Sequence, residues 1–395
     1  MSQSKQQIIF SLIGLLLLVS GLFFLRTFHI FGIFPKQDSA LTDQPKTSPP
    51  TKTSIMQASY LISGDVFWGR GIDYFAQQSP LKYDWPFSRL SEFNPDKYDG
   101  WIADIECPVT DKKIPYQVQV DSLIFACSPD YLPAASKWFD VFTLANNHTS
   151  NTGPDGFADT RTNLAKAGRQ FFGHWDLSQR QDLCEVIALK VKVDSQAKKL
   201  PIAMCGYHWL ARMPSDDELA QISQYAAYFP VWVFPHGGTE YSTVATPAQQ
   251  ELYRKMIDLG ADAVFADHPH VVEPTEAYKG KLIVYNLGNL IFDQWFDQEV
   301  TKSLIVNVAL SASVDKNLQA YLDMGESCAV FKDNCLETAQ TKGLKAYKLK
   351  YSYSIIAGDS SNASSDDRLK HLGSPTVQEW LLKRTNWPTT LSGLN

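Results

Sequence analysis

Val141-Phe142-Thr143-Leu144-Ala145-Asn146-Asn147-His148 decides how this chain is read. A short apolar and β-branched run predicts a buried strand, and it breaks at once into three polar side chains. An Asn carbonyl suits a metal ion, and the adjacent His can pass a proton to a phosphate oxygen or a leaving group. A polar turn with a satisfied His is the plainer reading. Thr149-Ser150-Asn151-Thr152-Gly153 continues as a loop under either.

Working outward, the same pattern recurs. Tyr60-Leu61-Ile62-Ser63 runs into Gly64-Asp65, and Trp101-Ile102-Ala103 runs into Asp104-Ile105-Glu106. Val231-Trp232-Val233-Phe234 runs into Pro235-His236-Gly237, and Ala263-Val264-Phe265-Ala266 into Asp267-His268-Pro269-His270. Ile202-Ala203-Met204-Cys205 and Leu282-Ile283-Val284-Tyr285 read as further strands, with helices predicted over 156–167 and 247–259. Alternating elements of these lengths predict an α/β sandwich with no internal repeat.

Each polar end has a bland reading by itself. Asp65 can cap a turn, Asp104 and Glu106 can be a solvated pair, and His236 can be structural. His268 and His270 are different: the intervening Pro269 stiffens two imidazoles on one side of an extended segment. Taken together, Asp65, Asp104, Glu106, Asn147, His236, His268 and His270 form a mixed nitrogen and oxygen set. Such a set suits one or two divalent transition metals, Mn, Fe, Zn or Co, and two ions can clamp a phosphoryl group and activate a bridging water.

The chain has 395 residues and a net charge of -6, enough length for one large domain or two ordinary ones. Lys and Arg are dispersed, with no basic run, so no nucleic-acid partner is expected. An uncharged run of 18 residues begins at Ile8 and ends at Leu25. It reads as an uncleaved transmembrane signal anchor within residues 1–35, with a cleaved signal peptide as the alternative. Flanking charges are too few to set its orientation. The main domain is placed outside the cytoplasm because a lone amino-terminal anchor usually serves export, giving a single-pass protein of the cell membrane. Residues 36–57 read as a disordered stalk rich in Pro, Ser, Thr, Lys and Gln. The main domain is read as 58–312, and residues 313–395 as an appendage or closing flap with one amphipathic segment around Val377 to Leu382. The six cysteines permit three disulfides in 15 connectivities, with Cys328 and Cys335 the favoured pair.

At these residues the chain resembles the CapA family of poly-γ-glutamate capsule biosynthesis proteins, whose domain looks like a divergent calcineurin-type metallophosphatase. The motifs run in order from Tyr60 to Phe292: Gly64-Asp65-Val66-Phe67-Trp68-Gly69-Arg70, Tyr83-Asp84-Trp85-Pro86-Phe87, Ile105-Glu106-Cys107-Pro108-Val109-Thr110 and Leu144-Ala145-Asn146-Asn147-His148. Gly238 to Tyr241, Asp267-His268-Pro269-His270-Val271-Val272 and Tyr285-Asn286-Leu287-Gly288-Asn289 complete the series. Phe67 stands where metallophosphatases carry the His of Asp-x-His. Asp104, Asp267 and Asn286 replace a usual Asn, His and Ser. The resemblance implies a metallophosphatase-like fold and a role in making, exporting or anchoring an anionic polymer. In an enzymatic reading, His148 is acid or oxyanion stabiliser and Arg70 pairs with an anionic substrate. In a second reading the protein is a non-catalytic assembly factor binding a membrane synthase or the polymer. In a third it is a surface phosphoesterase unrelated to polyglutamate.

Overall fold

The computed structural model describes residues 54–361 and 363–394. The expected anchor and nearly all of the stalk lie outside them. Among the described residues no helix is long and apolar enough to cross a membrane. Residues from Lys52 onward form one compact unit.

Among the described residues, thirteen strands make a single branched sheet. In chain order they are β1 (Ile55–Val66), β2 (Gly100–Ile105), β3 (Val141–Thr143), β4 (Gln170–Phe172), β5 (Cys184–Val193), β6 (Gln196–His208) and β7 (Val231–His236). Then come β8 (Ala263–Phe265), β9 (Thr275–Tyr278), β10 (Lys281–Val284), β11 (Ser303–Ser313), β12 (Lys350–Asp359) and β13 (His371–Leu372). The main path is β13-β12-β11-β1-β5-β6-β7-β8-β10-β9, and β2, β3 and β4 branch from β1. Strands β1 to β4 are parallel to one another, as are β6, β7, β8 and β10. Antiparallel β5 joins the two sets, so all their carboxyl ends face one way.

The short apolar runs are buried on both faces because alternate residues serve two cores. Tyr60, Ile62, Ile102 and Val141 point into a core shared with Ile202, Trp232 and Val264. Leu61, Trp101, Ala103 and Phe142 point the other way, against Phe87, Phe93, Phe139 and Leu164. The helices Gly153–Lys166 and Pro247–Asp258 cover outer faces, close to where periodicity places them. Pro247 opens the second, and Thr246 and Gln249 close a capping box that satisfies its first free amides.

Past Ser313, where the sequence reads as an appendage or flap, the chain returns to the same sheet. Strand β12 pairs with β11 from Ser303↔Gly358 to Ser311↔Lys350, and helix Lys316–Val330 buries Leu318, Tyr321 and Leu322 in the first core. The amphipathic segment becomes helix Pro375–Arg384.

One irregularity aims the first site residue. The β1–β2 register slips between Ile62 and Asp65, a bulge at Ser63-Gly64 that turns Asp65 toward the strand ends. A Cβ at Gly64 would lie against the Gly288 carbonyl oxygen and 2.7 Å from Asp267 Oδ1. Gly64→Ala is therefore expected to destabilise the protein by about 1–3 kcal/mol through forced backbone movement. Chemical denaturation beside the wild type checks this, and equal stability would show that the loop yields freely.

Candidate metal centre

Five strand ends converge. Asp65 comes from β1, and Asp104 and Glu106 lie at and just beyond the end of β2. Asn146, Asn147 and His148 follow β3, His236 ends β7, and Asp267, His268 and His270 follow β8. Asp65, Asp104, Glu106, His236, Asp267, His268 and His270 are all at most 3% exposed. So many buried ionisable groups are costly unless they are paired or share an ion.

Asn146 is a positioning residue. Its amide donates to Asp104 Oδ1 (2.7 Å) and to the Ile105 carbonyl (2.8 Å), while its oxygen accepts from the amides of His148 (3.1 Å) and Thr149 (2.9 Å). The β2 and β3 ends are thereby locked together. Asp104 Oδ2 accepts from His236 Nδ1 at 2.7 Å. That bond leaves His236 Nε2 with its lone pair, since burial pushes the imidazole far below its ordinary pKa and keeps it neutral. Nε2 faces Asn147 Oδ1 at 2.8 Å, so two acceptors look at each other.

His270 repeats the arrangement. Its Nδ1 lies 3.0 Å from both Asp65 Oδ2 and Asn289 Oδ1. Asn289 spends its amide hydrogens on Gln294 Oε1 and the Val300 carbonyl, so its oxygen must be the acceptor and His270 Nδ1 the donor. His148 Nδ1 donates to Asn151 Oδ1 (2.8 Å), which also accepts from the Phe125 amide (2.8 Å). The His148 ring stacks on Phe125 with centroids 3.9 Å apart. Burial pushes His148 down to about 3, so at neutral pH it presents a lone pair at Nε2. A carboxylate or carbonyl holding one imidazole nitrogen, with the other turned inward, is the usual support for a metal-ligating His.

Glu106 sits at the centre. Oε1 is 3.7 Å from His148 Nε2 and 3.8 Å from His236 Nε2, and Oε2 is 4.0 Å from His270 Nδ1. Neither oxygen has a hydrogen-bond partner, and the residue is fully buried. Asp65 Oδ1, Asp267 Oδ1 and His268 Nδ1 are likewise buried and unpartnered. Burial, then the neighbouring Asp65, Asp104 and Asp267, hold the Glu106 carboxyl well above the carboxylate range. Burial pushes Asp104 up to about 7 and raises Asp267 strongly. Among the described residues, four sets of groups could hold a metal ion: Glu106 with His236 and His268; Asp65 with Asp104 and His236; Asp65 with Glu106 and His270; and Glu240 with His268 and His270. These donors fit a divalent cation, which would neutralise the carboxylates and accept the unpartnered lone pairs.

The loop carrying two of the histidines is strained. His268 and His270 have φ of 103° and 61°, a region that costs residues with side chains about 1–3 kcal/mol each. The Tyr241 amide holds the Pro269 carbonyl (2.8 Å), and Asn286 donates to the Val271 carbonyl.

Arg70 is brought near but not into this centre. Its guanidinium binds Asp293 through Nε (3.0 Å) and Nη2 (2.5 Å) and lies over Phe125, 4.3 Å from the ring centroid. Its charge is already matched, so it braces the Phe125–His148 stack. Phe67 fills its space with apolar contacts to Phe125 and Phe292. Glu240, Asn289 and His208 are not among the site residues expected from sequence, although the first two lie within the 238–241 and 285–289 motifs. The last ends β6, opposite His236 in register, with Nδ1 on the Trp175 carbonyl (2.9 Å) and a buried, unpartnered Nε2. A polar residue closing an apolar strand was the available signal for His208.

The six cysteines form three disulfides, Cys107–Cys127, Cys184–Cys205 and the expected Cys328–Cys335. The first follows Glu106 directly and ties it to the strip carrying Phe125.

A family model described as bacterial capsule synthesis protein PGA_cap matches residues 59–294. The chain is 28% identical over 275 residues to the PGA biosynthesis protein CapA of Bacillus subtilis, covering 65% of this chain and 70% of that one. It is 28% identical over 262 residues to the capsule biosynthesis protein CapA of Bacillus anthracis, covering 61% of each. A solved structure, TT1561 of Thermus thermophilus, aligns over 63% of this chain and 93% of its own at 7% identity, with a TM-score of 0.36 too low to speak to fold or function. With the motifs in order and the matched segment spanning every residue of the centre, this chain belongs to the bacterial capsule synthesis protein family PGA_cap.

Proposed function

We propose that this protein is a membrane-anchored, metal-dependent hydrolase with a metallophosphatase-like centre, acting on an anionic capsule or envelope polymer of the poly-γ-glutamate type. The observation that carries this reading is Glu106, a buried carboxylate with no partner, ringed by histidine nitrogens at 3.7–4.0 Å. Asp65, Asp104, Glu106, Asn147, His236, His268 and His270 are the residues that would hold one or two divalent ions of Mn, Fe or Zn. Such ions supply Lewis-acid polarisation and a more acidic water. The chain's own part is proton handling. His148 Nε2, held by Asn151 and Phe125, takes the proton released when water adds to the scissile centre and returns it to the leaving group. Asn146 and Asn289 keep Asp104 and His270 in place. Disulfide pairing of all six cysteines accords with a domain outside the cytoplasm.

One observation favours a second reading. Phe67 occupies the place of the missing His and is locked among aromatic rings. A centre that binds metal without turnover would then serve assembly with a membrane synthase or the polymer.

Metal content decides first. Elemental mass spectrometry of the purified protein is expected to show one or two transition-metal equivalents, lost in the His268→Ala, His270→Ala double variant. No metal in either, after loading with each candidate ion, would overturn the hydrolase reading. Metal without hydrolysis of phosphoesters or γ-glutamyl amides would leave the assembly role.

A further inference from the structure

The pole opposite the metal centre carries lysines that sequence order conceals. Strand β1 starts there, and one rung of the sheet runs across it: Lys350 pairs with Ser311, Ser311 with Gln57, and Gln57 with Lys192. Lys97, Lys192 and Lys350 line one cavity of about 460 Å³ with Gln57 and Ser311. The chain approaches Lys350 through residues 342–350, which hold Lys342, Lys345, Lys348 and Lys350 and no acid. All four are exposed, and the Lys345 carbonyl is tied to Asn317, just past the end of β11. Lys198, exposed, is beside Val191 on the next strand.

Acids at this pole are largely committed: Asp140 pairs with Lys190 at 2.6 Å, and Asp262 binds Lys281. Asp99 pairs with Lys192 at 2.7 Å, Asp194 accepts from the Ile55 amide, and Asp315 caps a helix through the Leu318 amide. Asp96 is exposed. Lys97, Lys345, Lys348 and Lys350 make no ion pair with any described residue. The strip 342–350 is thus positive, four lysines without an acid, in a chain whose net charge is -6.

The preceding chain joins the domain at this pole, where β1 starts. Residues 26–54, 29 in number, separate the apolar run from the start of β1. The eight residue steps from Gln57 to Asp65 set the metal centre about 26 Å away along β1.

We propose that this lysine-bearing pole rests on an anionic lipid leaflet, holding the metal centre outward toward polymer. The proposal takes the membrane anchor from the proposed function, but its test does not use the anchor. The unit from Lys52 holds the described sheet, both cores and all three disulfides, so a fragment beginning there keeps every contact that builds the domain. That fragment is expected to pellet with phosphatidylglycerol-containing vesicles, not with pure phosphatidylcholine vesicles, and to be released by salt. Lys345→Gln, Lys348→Gln, Lys350→Gln together should lower the partition coefficient on the order of 100-fold. Lys112→Gln, Lys113→Gln, away from this pole, should leave it unchanged. No binding to anionic vesicles, or equal binding by the triple variant, overturns the proposal. Binding of soluble poly-γ-glutamate with no binding to vesicles also overturns it and makes the pole a polymer surface. Failure of the anchor reading would show separately, as extraction of the full chain from membranes by alkaline carbonate.

Discussion

Glu106→Gln is expected to lower metal affinity by more than about 100-fold while making the metal-free protein more stable. The two effects share one cause. Glu106 is fully buried, has no hydrogen-bond partner, and shares its surroundings with Asp65, Asp104 and Asp267. Without a cation its charge is uncompensated, and a neutral amide of the same shape relieves about 1–3 kcal/mol. With a cation the sign reverses, because the amide gives up the charge that the metal needs. Chemical denaturation with chelator and with added metal measures both. A variant that keeps wild-type metal content would remove Glu106 from the centre. A metal-free variant less stable than wild type at neutral pH would show that its carboxylate is already satisfied.

The difference should depend on pH in a defined direction. A carboxyl whose pKa is raised in the folded state binds more protons there than in the unfolded chain, so its stability contribution is lost as pH rises through that window. Glu106 is raised well above the carboxylate range, and Asp104 to about 7. The histidines act oppositely: His148, His236 and His268 are depressed, so their contribution is lost as pH falls below the ordinary imidazole range. In metal-free protein the stability of Glu106→Gln relative to wild type should therefore grow as pH rises above the ordinary carboxylate range. A difference that stays flat with pH would mean that Glu106 keeps an ordinary pKa.

Much of this centre is legible in sequence because each piece is local. An apolar strand of three to six residues carries its own polar terminus, as Trp101-Ile102-Ala103 carries Asp104 and Glu106, and parallel strands bring such termini to one edge. What escaped depends on distant closure. Asn289 matters only because the turn after β10 packs beside His270, and Glu240 only because the 238–241 loop folds over the strained His268–His270 segment. Residues 313–395 look separate because polar stretches interrupt them, yet β12 finds its partner in β11. The lysine pole was invisible for the same reason: Lys97, Lys192 and Lys350 are remote in order and meet through sheet register. Arg70 looks free to meet an anion until the fold supplies Asp293 from 223 positions away.

The disulfides should differ in worth, and Cys107–Cys127 should matter most. Closing a loop of 20 residues restricts the unfolded chain by about 3 kcal/mol, and one of seven residues, as for Cys328–Cys335, by about 2 kcal/mol. Cys184–Cys205 closes a similar loop of 21 residues, but its cysteines face each other at the end of a ten-pair antiparallel ladder, so the native register survives without it. Cys107–Cys127 has far less to fall back on. Besides the bond, the two segments are joined by two backbone hydrogen bonds, Cys127 to the Pro108 carbonyl and Thr110 to the Cys127 carbonyl. The Cys107→Ala, Cys127→Ala variant should therefore lose about 3 kcal/mol and also loosen the metal centre, since Glu106 precedes one cysteine and Phe125, which supports His148, lies two residues before the other. The Cys184→Ala, Cys205→Ala variant should lose stability while keeping metal affinity. Denaturation and metal titration of the two variants separate these roles. Equal metal affinity in both would mean that the strip around Phe125 holds its place without the covalent bond.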